Sequence, residues 1–534
     1  MVRTMAIGNE LKWKLFKWLG ILAVLLPFIL FLFVPLIYSI WYINPFYMYT
    51  FFNTQYKIKI FEFSLENSMV QGLLSALCSF AIGYPVGIII GLYQFKFKNA
   101  LLTLSYIAFF MPSILMVFAF IEFFYLLHFY NFFGLYGIIL VNTTFNAPLI
   151  AIFTSSSTDH IPVSLIYSAK LLKANIIKIF RKIYFPYTYE SALIGFILAF
   201  IYSFMGFTAP LMIGGTSNYT MEIWIYILYK SFFDVKGAVT VALLQILILI
   251  IPVVIYFVLS SKSMYLSNLS RKKEKLYSKR DYKKSLGAYV LVSLYTLFIS
   301  IPFFTILYYT LFGSGKLSFS PFLTLFSNIT TYKIGIPYIN VIINSLFFSS
   351  IAMFLSIGIS LIVLYFAEEL TWIKISIVLP LIVSPIVLAL VNYMFYINIF
   401  TNVWPIIVIA QTMVSLPIVS RLIDNSIKMV PKNLEYSAML LHTRRSDIFF
   451  KIKLPIIKYT LILSSMLSFV MALGEFGATF FIFTPLFTTI PVSIYEFQSL
   501  RDFTLAYSSA SILFVITFVI LYIVFSKEAY KWQS

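Results

Sequence analysis

Long apolar runs that return at regular intervals constrain this chain more than anything else in it. Stretches of about twenty mostly apolar residues, the length that carries a helix across a bilayer, fall near 15–42, 68–93, 100–127, 135–154, 188–213 and 236–260. A second set falls near 287–311, 345–366, 375–397, 404–422, 457–483 and 504–526. Hydrocarbon offers the backbone no hydrogen-bond partner, so each run must satisfy its own amides, which a helix does. Charged residues make up 11% of the chain, against about 25% in a soluble domain. The expectation is an all-α membrane protein with about 12 transmembrane helices in two parallel six-span repeats.

Between the sets, residues 261–286 carry nine Lys or Arg against Glu274 and Asp281, the composition of a solvated linker. The chain then divides into an N-terminal helix with its external loop (1–67), a first helical domain (68–260), the basic linker (261–286), the first helix of the second half with its external loop (287–340), a second helical domain (341–526) and a tail (527–534). Lysine and arginine bias sets orientation. With the N-terminus inside, only Lys57, Lys59, Lys230, Lys236, Lys316, Lys333 and Arg501 face outward, 7 of 38. Both termini are therefore expected in the cytoplasm of a multi-pass protein of the cell membrane. The net charge of +19 is mostly this inward bias, so no nucleic-acid partner is expected. Arg3, Lys12, Lys14 and Lys17 ahead of an apolar run imitate a signal peptide, but the run is too long and no small-residue cleavage site follows it. It reads as a retained first span.

The two halves repeat. Residues 162–186 ("PVSLIYSAKLLKANIIKIFRKIYFP") and 431–455 ("PKNLEYSAMLLHTRRSDIFFKIKLP") share one offset of 269, and 12 of their 25 positions are identical. The same offset pairs Pro148 with Pro417, Thr220 with Thr489 and Tyr226 with Tyr495, while Asn67-Ser68 and Asn344-Ser345 pair in a second register. Both loops fall on the cytoplasmic side between the fourth and fifth spans of their half. Each opens on proline, whose missing N–H costs nothing at a helix start. Leu165, Ala169 and Leu172, with Leu434, Ala438 and Leu441, fall at i, i+4, i+7. A short helix lying on lipid headgroups fits this pattern. A docking element also fits, and duplication at equal spacing argues for a duplicated partner.

Both loops resemble the "EAA" loop of permease subunits in ATP-binding-cassette (ABC) importers, E-A-A-x-x-x-G followed by I-x-L-P. Ser168-Ala169 and Ser437-Ala438 match the two alanines, and Ile183-Tyr184-Phe185-Pro186 and Ile452-Lys453-Leu454-Pro455 match the ending. Tyr167 and Tyr436 stand at the glutamate, and Lys173 and His442 at the glycine, so the surface shown to a partner differs from the family's. "ALGEFGATFFIF" at 472–483, answered by "SFMGFTAPLMIGG" at 203–215, is similar to type I permeases for ferric iron, thiamine and the oxyanions molybdate, tungstate and sulfate. Two halves in one chain resemble the fused ferric-iron and thiamine systems. The resemblance implies a type I permease fold, with 68–260 and 341–526 as permease domains. It implies docking of two ABC ATPase subunits at Leu165, Tyr167, Ser168, Ala169, Leu172 and Lys173, and at Leu434, Tyr436, Ser437, Ala438, Leu441 and His442. It also implies an external solute-binding protein, and ATP-Mg bound by the partner subunits with no cofactor in this chain. Ferric iron or thiamine is then the expected cargo, and an oxyanion the alternative.

Ionisable groups within spans are costly and so point to function by default. Glu475 is the main candidate, with Gly474, Phe476 and Gly477 around it and Gly206-Phe207 at the matching register. It reads either as a pathway residue or as a carboxylate bonded to neighbouring helix groups. Glu122, near the outer end of the third span, reads better as a snorkelling or structural acid. His128, His160 and His442 lie apart with no companion cysteines, and Cys78 is alone, so no metal site and no internal disulfide are expected. "GSGK" at 313–316 lacks the spacing of a phosphate loop, so the chain is not expected to be an enzyme. A secondary transporter of twelve spans is the rival of another class. The loops after the second span of each half, "QFKFKN" and "AEELTWIK", lack the Gly- and Arg-rich pattern of major-facilitator proteins.

Overall fold

Apolar runs of this length bury their backbone amides by forming helices, and the computed structural model shows such helices. It describes residues 20, 25–93, 95, 97–129, 132–215, 218–263, 286–312, 319–367, 379–441 and 443–531. The N-terminal basic cluster, most of the linker, the GSGK segment and His442 lie outside the described residues.

Ten helices among the described residues are long and apolar enough to cross a membrane, and an eleventh is a bent pair. We number them by the expected order: span 1 Leu25–Tyr42, span 2 Gln55–Leu92, span 4 Leu135–Asp159, span 5 Ile177–Phe204, span 6 Val235–Ser260, span 7 Gly287–Phe312, span 8 Tyr338–Phe366, span 10 Trp404–Lys428, span 11 Ile448–Leu473 and span 12 Phe503–Ser526. Span 3 is the pair Lys98–Phe110 and Ser113–Leu126, bent by 101°. Pro112 causes the bend: it has no N–H to donate, and it pushes Met111 into an extended conformation (ψ 141°). The expected span at 375–397 falls partly on residues 368–378, outside the described residues; its described part ends in the short apolar helix Pro385–Tyr396.

The contacts divide the chain into two compact units that cut across the sequence halves. One unit joins Met1–Tyr47 to Phe326–Ser493; the other joins Met48–Leu325 to Ile494–Ser534. In the first unit, span 1 lies against the helix Pro385–Tyr396. A π-helical turn at Ile29–Phe33 presents its carbonyls sideways: Asn392 Nδ2 donates to Phe31 O at 3.0 Å, and the Tyr396 hydroxyl to Leu30 O at 2.9 Å. The second unit repeats the arrangement with the roles exchanged. Span 7 lies against span 3, with the Ser105 and Tyr295 hydroxyls 2.9 Å apart and the Tyr309 hydroxyl donating to Glu122 O at 3.2 Å. In each unit, the first span of one half thus packs on the third-span segment of the other.

Spans 2 and 4 make the tightest seam of the second unit. Gly83, Gly87 and Gly91 of span 2 lie on Ala147, Ala151, Ser155 and Thr158 of span 4 so closely that an added Cβ would collide. Small residues permit this backbone approach, which is how helices gain packing energy where lipid supplies no hydrophobic drive.

Candidate functional site

The repeated loops fold alike. Helices Val163–Leu171 and Lys432–Leu440 each span nine residues at the offset of 269. Pro162 and Pro431 precede them at φ −61°, the angle their rings impose. Each proline carbonyl accepts the amide two residues into the helix, Leu165 N or Leu434 N, at 3.1 Å. The first helix closes with Lys173 N donating to Lys170 O at 2.9 Å and Ala174 N to Ala169 O at 3.0 Å, the Schellman pattern. That closure needs a left-handed residue, and Lys173 takes φ 52°, at the position where the family pattern has glycine. The second helix closes likewise, with Thr443 N on Ala438 O at 3.3 Å.

The exposed apolar ends are the notable feature. Leu171 and Leu172 are both 83% exposed, Leu440 80% and Leu441 77%. Leu165, Tyr167, Ser168 and Lys173 are exposed too, as are Leu434, Tyr436 and Ser437. The expected i, i+4, i+7 stripe is only partly the buried face. Helix ends at Leu171, so Leu172 turns away, and Ile166 and Ala169 face inward instead. Ile166 is fully buried against Ile161, Ile179 and Tyr184. In the second loop, Ala438 is buried, and the position matching Ile166 is Glu435, which pairs with Lys453 at 3.1 Å. Nearby, the hydrogen bond from Lys451 holds the Asp447 carboxyl below the usual range.

The fifth span of each half breaks at matching places. Span 5 stops at Phe204 and a short helix Thr208–Ile213 follows; span 11 stops at Leu473 and Gly477–Ile482 follows. The continuous spans expected at 188–213 and 457–483 are therefore each two helices. Glu475 sits in the second break with little exposure and caps the helix behind it. Its Oε1 accepts Ala478 N at 2.7 Å, and its Oε2 accepts Thr479 N at 3.0 Å and the Thr479 hydroxyl at 2.7 Å. Those amides have no partner within the helix, so this carboxylate supplies one. Phe476 is buried and stacks on Phe480 at 5.1 Å. In the first break Gly206 has no side chain to cap with, and Phe207 is buried against Tyr226. Gly474, Glu475, Phe476 and Gly477 thus form one turn, and Gly206-Phe207 its counterpart.

Polar groups that sequence patterns gave little reason to connect gather around the first break. Gln71 Nε2 donates to Ser203 O at 2.9 Å, Asn142 Nδ2 to Gln71 Oε1 at 3.4 Å, and Asn146 Nδ2 to the Ser203 hydroxyl at 3.0 Å. All are buried. An amide inside an apolar span was the available signal. Glu122 accepts the Tyr507 hydroxyl at 2.6 Å, consistent with a structural acid. Beyond the second break, burial pushes the Glu496 carboxyl up to about 7. Among the described residues no group of three or more His, Cys, Asp or Glu could hold a metal ion.

Residues 83–264 match the family model described as "Binding-protein-dependent transport system inner membrane component". Over 121 residues the chain is 32% identical to the "Probable transport system permease protein NifC" of Clostridium pasteurianum, covering 22% of this chain and 42% of that protein. It is 30% identical over 121 residues to the sulfate transport system permease protein CysW of Synechococcus elongatus, with the same coverage. Over 130 residues it is 28% identical to YvgM of Bacillus subtilis, named as a candidate molybdenum transport system permease, covering 24% and 57%. The chain spans roughly half the length of these curated relatives, 42% to 57%.

Proposed function

We propose that this chain is the membrane-spanning permease of an ABC importer, with both permease halves fused, taking a small solute from an external binding protein. Two ABC ATPase subunits dock on the cytoplasmic side, one at Val163–Leu171 and one at Lys432–Leu440, and bind the ATP-Mg. One observation carries the reading: two nine-residue helices at one offset, each ending in an exposed leucine pair. Exposed leucines lose free energy to water, about 25 cal/mol per Å² of apolar surface, and a duplicated cleft removes both pairs from it. ATP binding that favours one arrangement of the two loops biases the bundle by its differential affinity and by no more than that.

The cargo we propose is a tetrahedral oxyanion of the sulfate or molybdate kind, because two of the relatives carry sulfate and molybdenum in their names. Ferric iron or thiamine is the second reading, favoured by the presence of both repeated loops in one chain. ATP-dependent uptake of tungstate and sulfate, against ferric iron and thiamine, separates the two in proteoliposomes of the complex.

The docking is tested by Leu171→Asp and Leu172→Asp together with Leu440→Asp and Leu441→Asp. These side chains are exposed, so folding and membrane insertion are expected to persist while co-purification of the ATPase is lost. A quadruple variant that still retains its ATPase removes the docking role and leaves the headgroup-lying helix.

A further inference from the structure

The Asn-Ser pairs make the same contacts in both halves. Asn67 Nδ2 donates to Tyr219 O at 3.1 Å, and the Ser68 hydroxyl accepts Met221 N at 2.9 Å. Asn344 Nδ2 donates to Thr488 O at 3.2 Å and Leu486 O at 3.0 Å, and the Ser345 hydroxyl accepts Ile490 N at 2.7 Å. Tyr219 and Met221 correspond to Thr488 and Ile490 at the offset of 269. Both serines are buried. Both serve the first amide of a helix, Met221–Lys230 or Ile490–Ser499, a donor that no carbonyl of its own helix can reach. In each half, therefore, the second span holds the segment behind the broken fifth span by the same two side chains.

The other end of each second span meets the fourth span. Span 2 does so through Gly87 and Gly91. Span 8 does so through hydroxyl pairs, Ser356 with Ser415 at 2.7 Å and Ser360 with Ser420 at 2.6 Å. Each fourth span ends at Asp159 or Lys428, with three residues between it and its loop helix. Ser68 and Gly87 lie on one continuous helix, separated along its axis by about 28 Å at 1.5 Å per residue. Loop helix, fourth span, second span and post-break segment are thus joined in that order, twice.

We propose that Asn67-Ser68 and Asn344-Ser345 are positioning residues of transport: they deliver displacement of the second span to the segment behind each break. The inference rests on the permease reading. Without the serine hydroxyl the amide at Met221 or Ile490 has no buried acceptor, and the second span moves without its load.

The test uses the full chain with its ATPase in nanodiscs, in a Cys78→Ser background, with spin labels at Ser231→Cys and Ser499→Cys. Both labelled positions are exposed and lie just after or at the end of the two held helices. In the otherwise unaltered chain, ATP with vanadate shifts the inter-label distance. In Ser68→Ala with Ser345→Ala the shift is lost while ATP turnover is unchanged, and Ser68→Thr with Ser345→Thr, which keeps the acceptor oxygen, restores it. Asn67→Ala with Asn344→Ala is expected to reduce the same shift. A shift that persists in the alanine variants overturns the inference, as does a parallel loss of shift and ATP turnover. An unaltered chain that binds no ATPase instead overturns the permease reading, and this inference falls with it.

Discussion

In the first half the loop helix is held by Ile166 against Ile161, Ile179 and Tyr184; in the second, Glu435 and Lys453 occupy the positions of Ile166 and Tyr184 and form an ion pair. The seam between second and fourth spans differs in the same manner. At the register that pairs Asn67 with Asn344, Gly83 becomes Ser360 and Gly87 becomes Leu364. Leu364 is buried with Val419 and Ile423, and serine pairs bridge the helices around it. At the breaks, Gln71 holds Ser203 O from a neighbouring span in the first half, while Glu475 caps from within in the second. Helix ends stay in register through all of this. Backbone position is what the two halves share, and apolar contact, glycine approach, hydroxyl pairs and an ion pair are interchangeable means of holding it.

Writing the second-half residue into the first-half seam breaks this comparison hardest. A Cβ at Gly87 falls 2.7 Å from Ala151 O and 2.6 Å from Thr154 Cβ, and the first of these is backbone that cannot step aside. Gly87→Leu is expected to cost about 3 kcal/mol or more. Size-exclusion profiles after detergent extraction should show little monodisperse protein. Normal yield and melting would mean that the glycine seam opens without penalty.

Next in size is the ion pair. Lys453 is buried, and Lys453→Met leaves the Glu435 carboxylate without its cation, at an expected cost of about 3 kcal/mol. The double exchange Glu435→Ile with Lys453→Tyr installs the first-half pair and should recover most of that loss, since an apolar pair escapes the desolvation that the ions suffer. Unfolding of the purified chain in nanodiscs measures both. A double exchange no more stable than Lys453→Met would show that the two anchors are not equivalent.

How far these features could be read beforehand depends on what kind of signal each leaves. Apolar runs located the spans, and the offset of 269 located both loop helices. The breaks were hidden because Met205-Gly206-Phe207 and Gly474-Glu475-Phe476 lie inside runs whose hydropathy barely falls. The helix that carries the apolar run from about 68 begins earlier, at Gln55, because Lys57, Glu62 and Glu66 are too polar for a bilayer though not for a helix. Asn67-Ser68 was visible as a register match only, since a side chain bonded to backbone some 150 residues away leaves no periodicity. The exchange of first spans left no trace either: every span is apolar, so hydropathy does not say which half a span packs against.

The smallest effect sharpens the comparison at the loop closure. Lys173 holds φ 52°, a left-handed conformation in which a Cβ crowds the following carbonyl at about 1–2 kcal/mol, and which glycine enters freely. Glycine also frees the unfolded chain, taking back about 0.5–1 kcal/mol. Lys173→Gly should therefore stabilise the first loop slightly. Slower amide exchange is expected at Lys170 through Ala174, because the Schellman bonds from residues 173 and 174 no longer oppose strain. The lysine side chain is exposed, so no packed contact is lost with it. Faster exchange in the glycine variant would mean that the lysine contributes more to this turn than its backbone costs, and that the family's glycine is not the better residue for this loop.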